Sequence, residues 1–459
     1  MMARKMRDTG VAAGKIFHAE AQRGGGAERM KPSGIPWIGD IPEGWVVRRL
    51  RYIATSFRKG AGITKADVIK DGDIACIRYG EIYSKYKNDV VVMECLSRTN
   101  KNLISTPQRI IKGDVLFSCT GELVDEIGKN IAYMGDEECL AGGDIIVMGH
   151  NQNPVFLSYV LNSYAQTQKS HDKTKLKVVH ISTGDIKNLL IAIPPLAEQK
   201  AIAEYLDEKC GAIDAAIAEA KKGIEEYKAW KISLIDDVVC NGIVRHKCRK
   251  ETGEVWLTDI PDEWEFTQIR YLFALRDERN DKPLKDVNLI SLYTDKGVVQ
   301  HADLEKTTGN KASTADGYKL VYENDIVVNI ILCWMGAVGR SAYNGVASPA
   351  YDVYRPIDPT KVLSRYYHYL FRTPRFNGKC YEEGRGIMMM RWRTYSSEFR
   401  AIKVPVPPLA EQKAIADYLD KKCAAIDALV AEKEALIADL EAYKKSLIFE
   451  VVTGKREVA

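Results

Sequence analysis

After Pro194-Pro195, and again after Pro407-Pro408, the chain runs for roughly 40 residues without a proline, and apolar positions recur there on a seven-residue beat. Leu206, Ile213, Ala220, Tyr227 and Leu234 form one series, and Cys210, Ile217, Ile224, Lys231 and Val238 a second, offset by four. The beat returns at Leu419, Ile426, Lys433, Leu440 and Leu447, with Cys423, Val430, Ile437, Lys444 and Val451. Two interleaved series with Glu and Lys outside them predict a coiled-coil seam on each of two long helices. Proline suits the start of a helix and not its interior, so the Pro-Pro pairs mark where both begin. A helix with a single apolar stripe needs a partner, and each stripe is the natural partner of the other. Lys231, Lys433 and Lys444 interrupt the stripes, where a cation either fixes register or snorkels to the edge.

Elsewhere the pattern changes to short β-type runs broken by Gly and Asp turns. Residues 74–80, 114–121 and 144–149 read as strands before the first helix, and 286–293, 325–332 and 346–354 before the second. Short helices are expected at Pro154–Gln168 and Ser364–Phe371. The class is α+β, two mixed domains alternating with two long helices.

The halves repeat one another. Ala197–Glu219 and Ala410–Glu432 share eighteen of 23 residues at an offset of 213. Upstream, Ser33–Trp45 aligns with Thr252–Trp264 at an offset of 219, with Gly, Trp, Asp, Ile, Pro and Trp coinciding. Between these ends little lines up beyond 112–118 (KGDVLFS) with 323–329 (ENDIVVN). A period this long is no solenoid; it is a duplicated domain-plus-helix unit. A kept frame with changed filling suggests one task done twice with different specificity, or simple drift after duplication. Translation or a two-fold axis could relate the units. A two-fold makes the helices antiparallel and returns the chain end, near Val452–Arg456, toward the segment near Ser33, a nearly circular plan. The expected division is 1–30 as a disordered tail or misassigned start, 31–193 and 246–406 as the variable domains, and 194–245 and 407–459 as the helices.

Composition alters this little. Of 459 residues 46% are hydrophobic and 28% charged, a globular balance, and the net charge of +4 points weakly at nucleic acid. No apolar run approaches a membrane span and no secretory signal is visible, so the cytoplasm is expected. Ten scattered cysteines without a CxxC pair argue against structural zinc. Phosphate-binding, dinucleotide, metalloprotease and nucleophile-elbow motifs are all missing, and the Pro-Pro pairs are flanked by Ile or Val and Leu, not by the polar residue an amino-methyltransferase needs.

Basic and aromatic clusters fall late in each variable domain. The first holds Lys173, Lys175, Lys177 and His180; the second holds Arg385, Arg391, Trp392 and Arg393, beside the Met388–Met390 run. Lys and Arg neutralise phosphates, and Arg also reads guanine edges. Arg78 with Tyr79, and Tyr351 near Arg355, are weaker candidates for DNA contact.

The two Pro-Pro-Leu-Ala-Glu-Gln-Lys-Ala-Ile-Ala segments resemble the conserved regions of type I restriction–modification specificity subunits. The lead-in Ile41-Pro42-Glu43-Gly44-Trp45 and the closing Val451-Val452-Thr453-Gly454-Lys455 are similar to that family too; the first exit, Val238-Val239-Cys240-Asn241-Gly242, departs from the pattern but keeps its Gly. The resemblance covers about residues 31–459. It implies a non-catalytic subunit with two target-recognition domains, each reading half of a split site in double-stranded DNA, spaced by antiparallel helices. It also implies docking of two modification subunits, which would bind S-adenosylmethionine, and two restriction subunits, which would use ATP and magnesium, with no cofactor on this chain. Glu198, Gln199, Tyr205, Glu411, Gln412 and Tyr418 are then candidate docking residues, or packing at the helix starts. The competing reading is a non-catalytic scaffold that uses paired helices to space two domains for ligands other than DNA.

Overall fold

The computed structural model describes residues 29–87, 89–121, 124–170, 179–244, 246–301, 314–386 and 392–458. Contacts divide the chain into two compact units. One comprises residues up to Ala218 together with Ala438 onward; the other is Glu219–Ile437. Each unit contains a variable domain and a part of both long helices.

Those helices are Leu196–Asn241 and Leu409–Val452. In the first unit Leu206, Cys210, Ile213 and Ile217 are buried, as are Leu440, Leu447 and Val451 of the second helix. In the second unit Ala220, Ile224 and Val238 are buried, as are Leu419, Cys423 and Ile426. The seven-residue beat therefore marks the packed stripe. Direction is fixed inside each unit. In the second, Lys433 lies over the Tyr227 ring at 5.9 Å and Lys231 donates to Asp427 at 2.7 Å. In the first, Lys444 donates to Asp214 at 2.6 Å and Arg456 bonds Tyr205. Numbers rise along one helix as they fall along the other, so the pairing is antiparallel. Lys231 with Asp427 and Lys444 with Asp214 are one pair in two copies, with the roles of the helices exchanged at the repeat offset of 213.

These ion pairs are partly exposed, and such pairs contribute little, about 0–1 kcal/mol. Asp427→Ala should therefore cost under ~1 kcal/mol, and Ile426→Ala, inside the stripe, about 2–4 kcal/mol. Urea titration of the two variants measures the difference; equal losses would mean that the pairs carry the helix contact.

The variable domains share a strand order despite their dissimilar sequences, the first having one further edge strand, Val91–Val92, parallel to Asn130–Tyr133. In the first unit a five-stranded sheet runs Ala54–Lys59, Ile145–His150, Val115–Ser118, Asn130–Tyr133, Val91–Val92. A four-stranded sheet runs Ser97–Thr99, Ile74–Ile77, Cys139–Ala141, Arg109–Ile110. In the second unit the corresponding sheets run Phe273–Arg276, Tyr351–Pro356, Ile326–Asn329, Val338–Arg340, and Gly297–Gln300, Leu289–Tyr293, Gly345–Ala347, Lys319–Val321. One parallel pair sits in the middle of the second-named sheet of each unit, Ile74–Ile77 with Cys139–Ala141 and Leu289–Tyr293 with Gly345–Ala347. The aspartates of the one internal sequence match explain its retention. Asp114 takes Arg58 at 2.5 Å and the Ile111 N–H; Asp325 takes Arg276 at 2.9 Å and the Tyr322 N–H. Each ties the turn before a central strand to the edge strand two places away.

Several local expectations need correction. The run 74–80 leaves the sheet after Ile77, and Tyr79–Ser84 is helical. Residues 346–354 split into Gly345–Ala347 and the start of Tyr351–Pro356. The helix expected over 154–168 breaks at Ser163 into Pro154–Asn162 and Ala165–Ser170. Pro374–Glu383 is a helix the hydrophobic pattern missed, opened by Thr373, whose hydroxyl accepts the Phe376 N–H at 3.3 Å. Met30 is no part of a tail: it opens the strand Met30–Pro32, paired with Asp40–Pro42.

Candidate nucleic-acid interface

In the second unit the helix Pro374–Glu383 packs on the turn Cys333–Met335. Three rings meet there. Tyr381 stacks on Trp392 with centroids 4.9 Å apart, and Trp334 lies 5.5 Å from Tyr381 on the other contact. The Trp392 N–H donates to the Tyr381 carbonyl at 3.0 Å, fixing the ring. Arg385 and Arg393 exchange backbone hydrogen bonds of 2.8 and 2.9 Å as an antiparallel bridge beside the stack. The Arg385 side chain is exposed and ion-paired with Glu398. The expected trio Arg385, Trp392 and Arg393 is thus brought together, and Trp334 and Tyr381 join it. Tyr381 is an exposed ring in a polar stretch, whereas Trp334 is half-buried in an apolar run, which the sequence does not distinguish from core. Arg391 and Met388–Met390 lie outside the described residues.

In the first unit, His180 ends the strand Val179–His180, which pairs with Thr120–Gly121. His180 is exposed, and its Nδ1 lies 3.0 Å from the Thr120 hydroxyl. Lys173, Lys175 and Lys177 lie outside the described residues. Tyr79 is exposed at its helix start. Arg78 is less free: its guanidinium reaches Glu81 at 3.4 Å. Burial opposes the Glu81 charge, but bonds from Ser97 and Lys85 hold that carboxyl below its usual range. Tyr351 is corrected more strongly. It is half-buried against the apolar cluster formed by both sheets of the second unit, and burial pushes its phenol up. Arg355 is exposed.

The candidate docking residues occupy a joint inside each unit. Trp45 is buried and its indole N–H donates to Glu198 at 2.9 Å; Trp264 does the same to Glu411 at 2.8 Å. Buried Gln199 accepts the Asn153 N–H at 3.0 Å and donates to the Gln152 side chain at 2.8 Å and the Pro194 carbonyl at 2.9 Å. Buried Gln412 accepts the Leu363 N–H at 2.9 Å and donates to the Lys361 and Pro407 carbonyls, both at 2.8 Å. Glu198, Gln199, Glu411 and Gln412 therefore hold a variable domain on its helix, and each glutamine donates twice and accepts once within the chain. Tyr205 and Tyr418 are half-buried, each 5.7 Å from a lysine one turn on, Lys209 and Lys422. The retained exit glycines belong to the same joints. Both have positive φ, and a Cβ would fall 2.3 Å from Pro42 at Gly454 and 2.7 Å from Glu411 at Gly242.

A family model described as the type I restriction modification DNA specificity domain matches twice, over residues 42–225 and 261–438. The chain belongs to that family. It carries two specificity domains, and as a specificity subunit it is a DNA-recognition component and not a catalytic one. It associates with DNA and with the partner subunits of a restriction–modification complex. Similar relatives include a putative type I restriction enzyme MjaX specificity subunit of Methanocaldococcus jannaschii, 26% identical over 92% of this chain and 96% of that protein. The MjaVIII specificity subunit of the same organism is 23% identical over 91% and 94%. Among solved structures, a chain from a study of type I R-M complex assembly and conformational transition superposes with a TM-score of 0.66 at 15% identity, covering 91% of this chain and 99% of that one. The HsdS subunit from Thermoanaerobacter tengcongensis gives 0.52 at 15% identity, over 91% and 98%. These likenesses carry the fold. The alternative of a scaffold for ligands other than DNA finds no support among them. Among the described residues no helix is long and apolar enough to cross a membrane.

Proposed function

We propose that this specificity subunit reads a bipartite duplex site, one half per specificity domain, and brings two modification and two restriction subunits to it. The observation that carries this reading is the repeated architecture: two domains with the same sheet order and the same helix joint present different exposed side chains. In the second unit the reading face is Arg385, Arg391, Trp392 and Arg393 with Trp334 and Tyr381. In the first it is Tyr79, His180, Lys173, Lys175 and Lys177, with Arg78 at its margin. Arginine forks suit guanine edges and lysines suit phosphates. S-adenosylmethionine, ATP and magnesium belong to the partner subunits in this reading, this chain takes no cofactor, and the complex works in the cytoplasm.

Exchange of residues 33–193 for the matching segment of another family member tests it. Methylation mapped across a genome should show one half of the split motif replaced and the other retained. A change in both halves, or in neither, would sink the one-domain, one-half assignment.

A further inference from the structure

Each unit also carries an exposed Arg-Tyr pair that its packing does not require. Arg51-Tyr52 closes the turn Leu50–Tyr52, and Arg270-Tyr271 closes the turn Ile269–Tyr271, at the 219-residue offset of the lead-in segments. The turns are pinned identically. Buried Leu50 donates its N–H to Leu189 at 3.0 Å, and buried Ile269 donates to Ile402 at 2.9 Å. The tyrosines are nevertheless 72% and 65% exposed. Preceding positions have diverged: Val46, Arg48 and Arg49 in one unit are Glu265, Thr267 and Gln268 in the other. Burial explains why Leu50 and Ile269 stay apolar; it does not explain why the exposed Arg-Tyr is the same twice.

A short helix packs on each turn, Thr183–Asn188 in the first unit and Ser396–Ala401 in the second. Each brings a cation to the equivalent position, Lys187 and Arg400. Among the described residues no carboxylate pairs with Arg51, Lys187, Arg270 or Arg400. The same helices adjoin the reading faces. Thr183–Asn188 begins three residues after His180, and Ser396–Ala401 begins three after Arg393 and carries Glu398, which holds Arg385.

We propose that Arg51 and Tyr52 with Lys187, and Arg270 and Tyr271 with Arg400, are sequence-independent anchors for the sugar–phosphate backbone, one in each specificity domain. This rests on the DNA-reading function above. The two domains meet different bases, so a feature common to both answers what the half-sites share, and that is phosphate. Guanidinium, ammonium and phenol hydroxyl all donate hydrogen bonds to phosphate oxygens, and the cations displace counterions. Anchored at these turns, each domain is set in register before any base is read.

The test uses the full chain with its modification partner and a duplex containing the site, titrated over a range of salt. R51Q and R270Q should each lower the slope of log K against log salt by about one, and the double variant by about two. Y52A and Y271A should weaken cognate and scrambled duplexes by the same several-fold factor, and Y52F should show how much the hydroxyl contributes. The methylated motif should not change. Unaltered slopes with fewer partner copies in native mass spectra would overturn the proposal in favour of a protein-docking surface. A changed base preference would overturn it in favour of direct readout. A wild-type chain without salt-dependent duplex binding would defeat the DNA reading itself, whereas normal wild-type binding with indistinguishable variants would defeat only the anchors.

Discussion

Gln412→Ala is expected to destabilise the second unit by about 3–5 kcal/mol, although no charge and little apolar surface are lost. Its amide answers the Leu363 N–H and two carbonyls, Lys361 and Pro407, all within 2.9 Å. Truncation leaves these part-buried and buried backbone groups short of partners, at about 1–3 kcal/mol for each unsatisfied group, and adds a cavity. Gln199→Ala in the first unit should cost roughly 1 kcal/mol less, because one of its partners is the Gln152 side chain, which can turn to water. Denaturant unfolding followed by a probe in each unit reads both values. If Gln412→Ala left stability unchanged while releasing a partner subunit, the glutamine would be a docking residue after all.

The second large effect is a loss of stability in mild acid. His368 is half-buried, and its Nδ1 accepts the Arg340 N–H at 3.1 Å. Burial, with Arg372 and Arg340 beside it, pushes its imidazole down to about 3, against the opposing pull of Asp420. The folded ring is therefore neutral, while the unfolded one takes up a proton below about pH 6.5. The stability conferred by the neutral ring is fully present above that value and is lost as pH falls toward 3. Between pH 8 and 5 the loss from this group should reach about 2 kcal/mol, at most ~1.4 kcal/mol per pH unit. His368→Gln keeps an acceptor without the titration, so its stability should lie nearly flat where wild type declines. Parallel pH curves for the two proteins would show that His368 is not the cause.

How much of this was legible in the sequence depended on how local each cause is. The seam was, because Leu206, Ile213, Leu419 and Ile426 obey a period that helix geometry alone dictates. The α+β class followed from short alternating runs. Sheet order was not legible: the parallel contact between Ile74–Ile77 and Cys139–Ala141 joins residues far apart in sequence, and nothing local specifies it. That each unit takes a part of both helices was not legible, because proline marks where a helix starts and not which body it packs in. The glutamines were read as candidates for docking because identity between the copies reports that a side chain has a partner without saying on which molecule. Tyr351 was named as a weaker candidate for DNA contact because a half-buried ring at a strand start reads like an exposed one. Within the reading face, Trp392 and Arg385 were visible as a cluster, but Tyr381 entered it only through an unforeseen helix.

The joint at Gln412 addresses main-chain atoms, and Gln199 grips the Asn153 N–H in the same manner. A peptide N–H or C=O is the same whatever residue bears it. Genes that trade one reading head for another therefore need not re-evolve the socket, and shuffling by recombination can alter what is recognised while the chassis stays as it was.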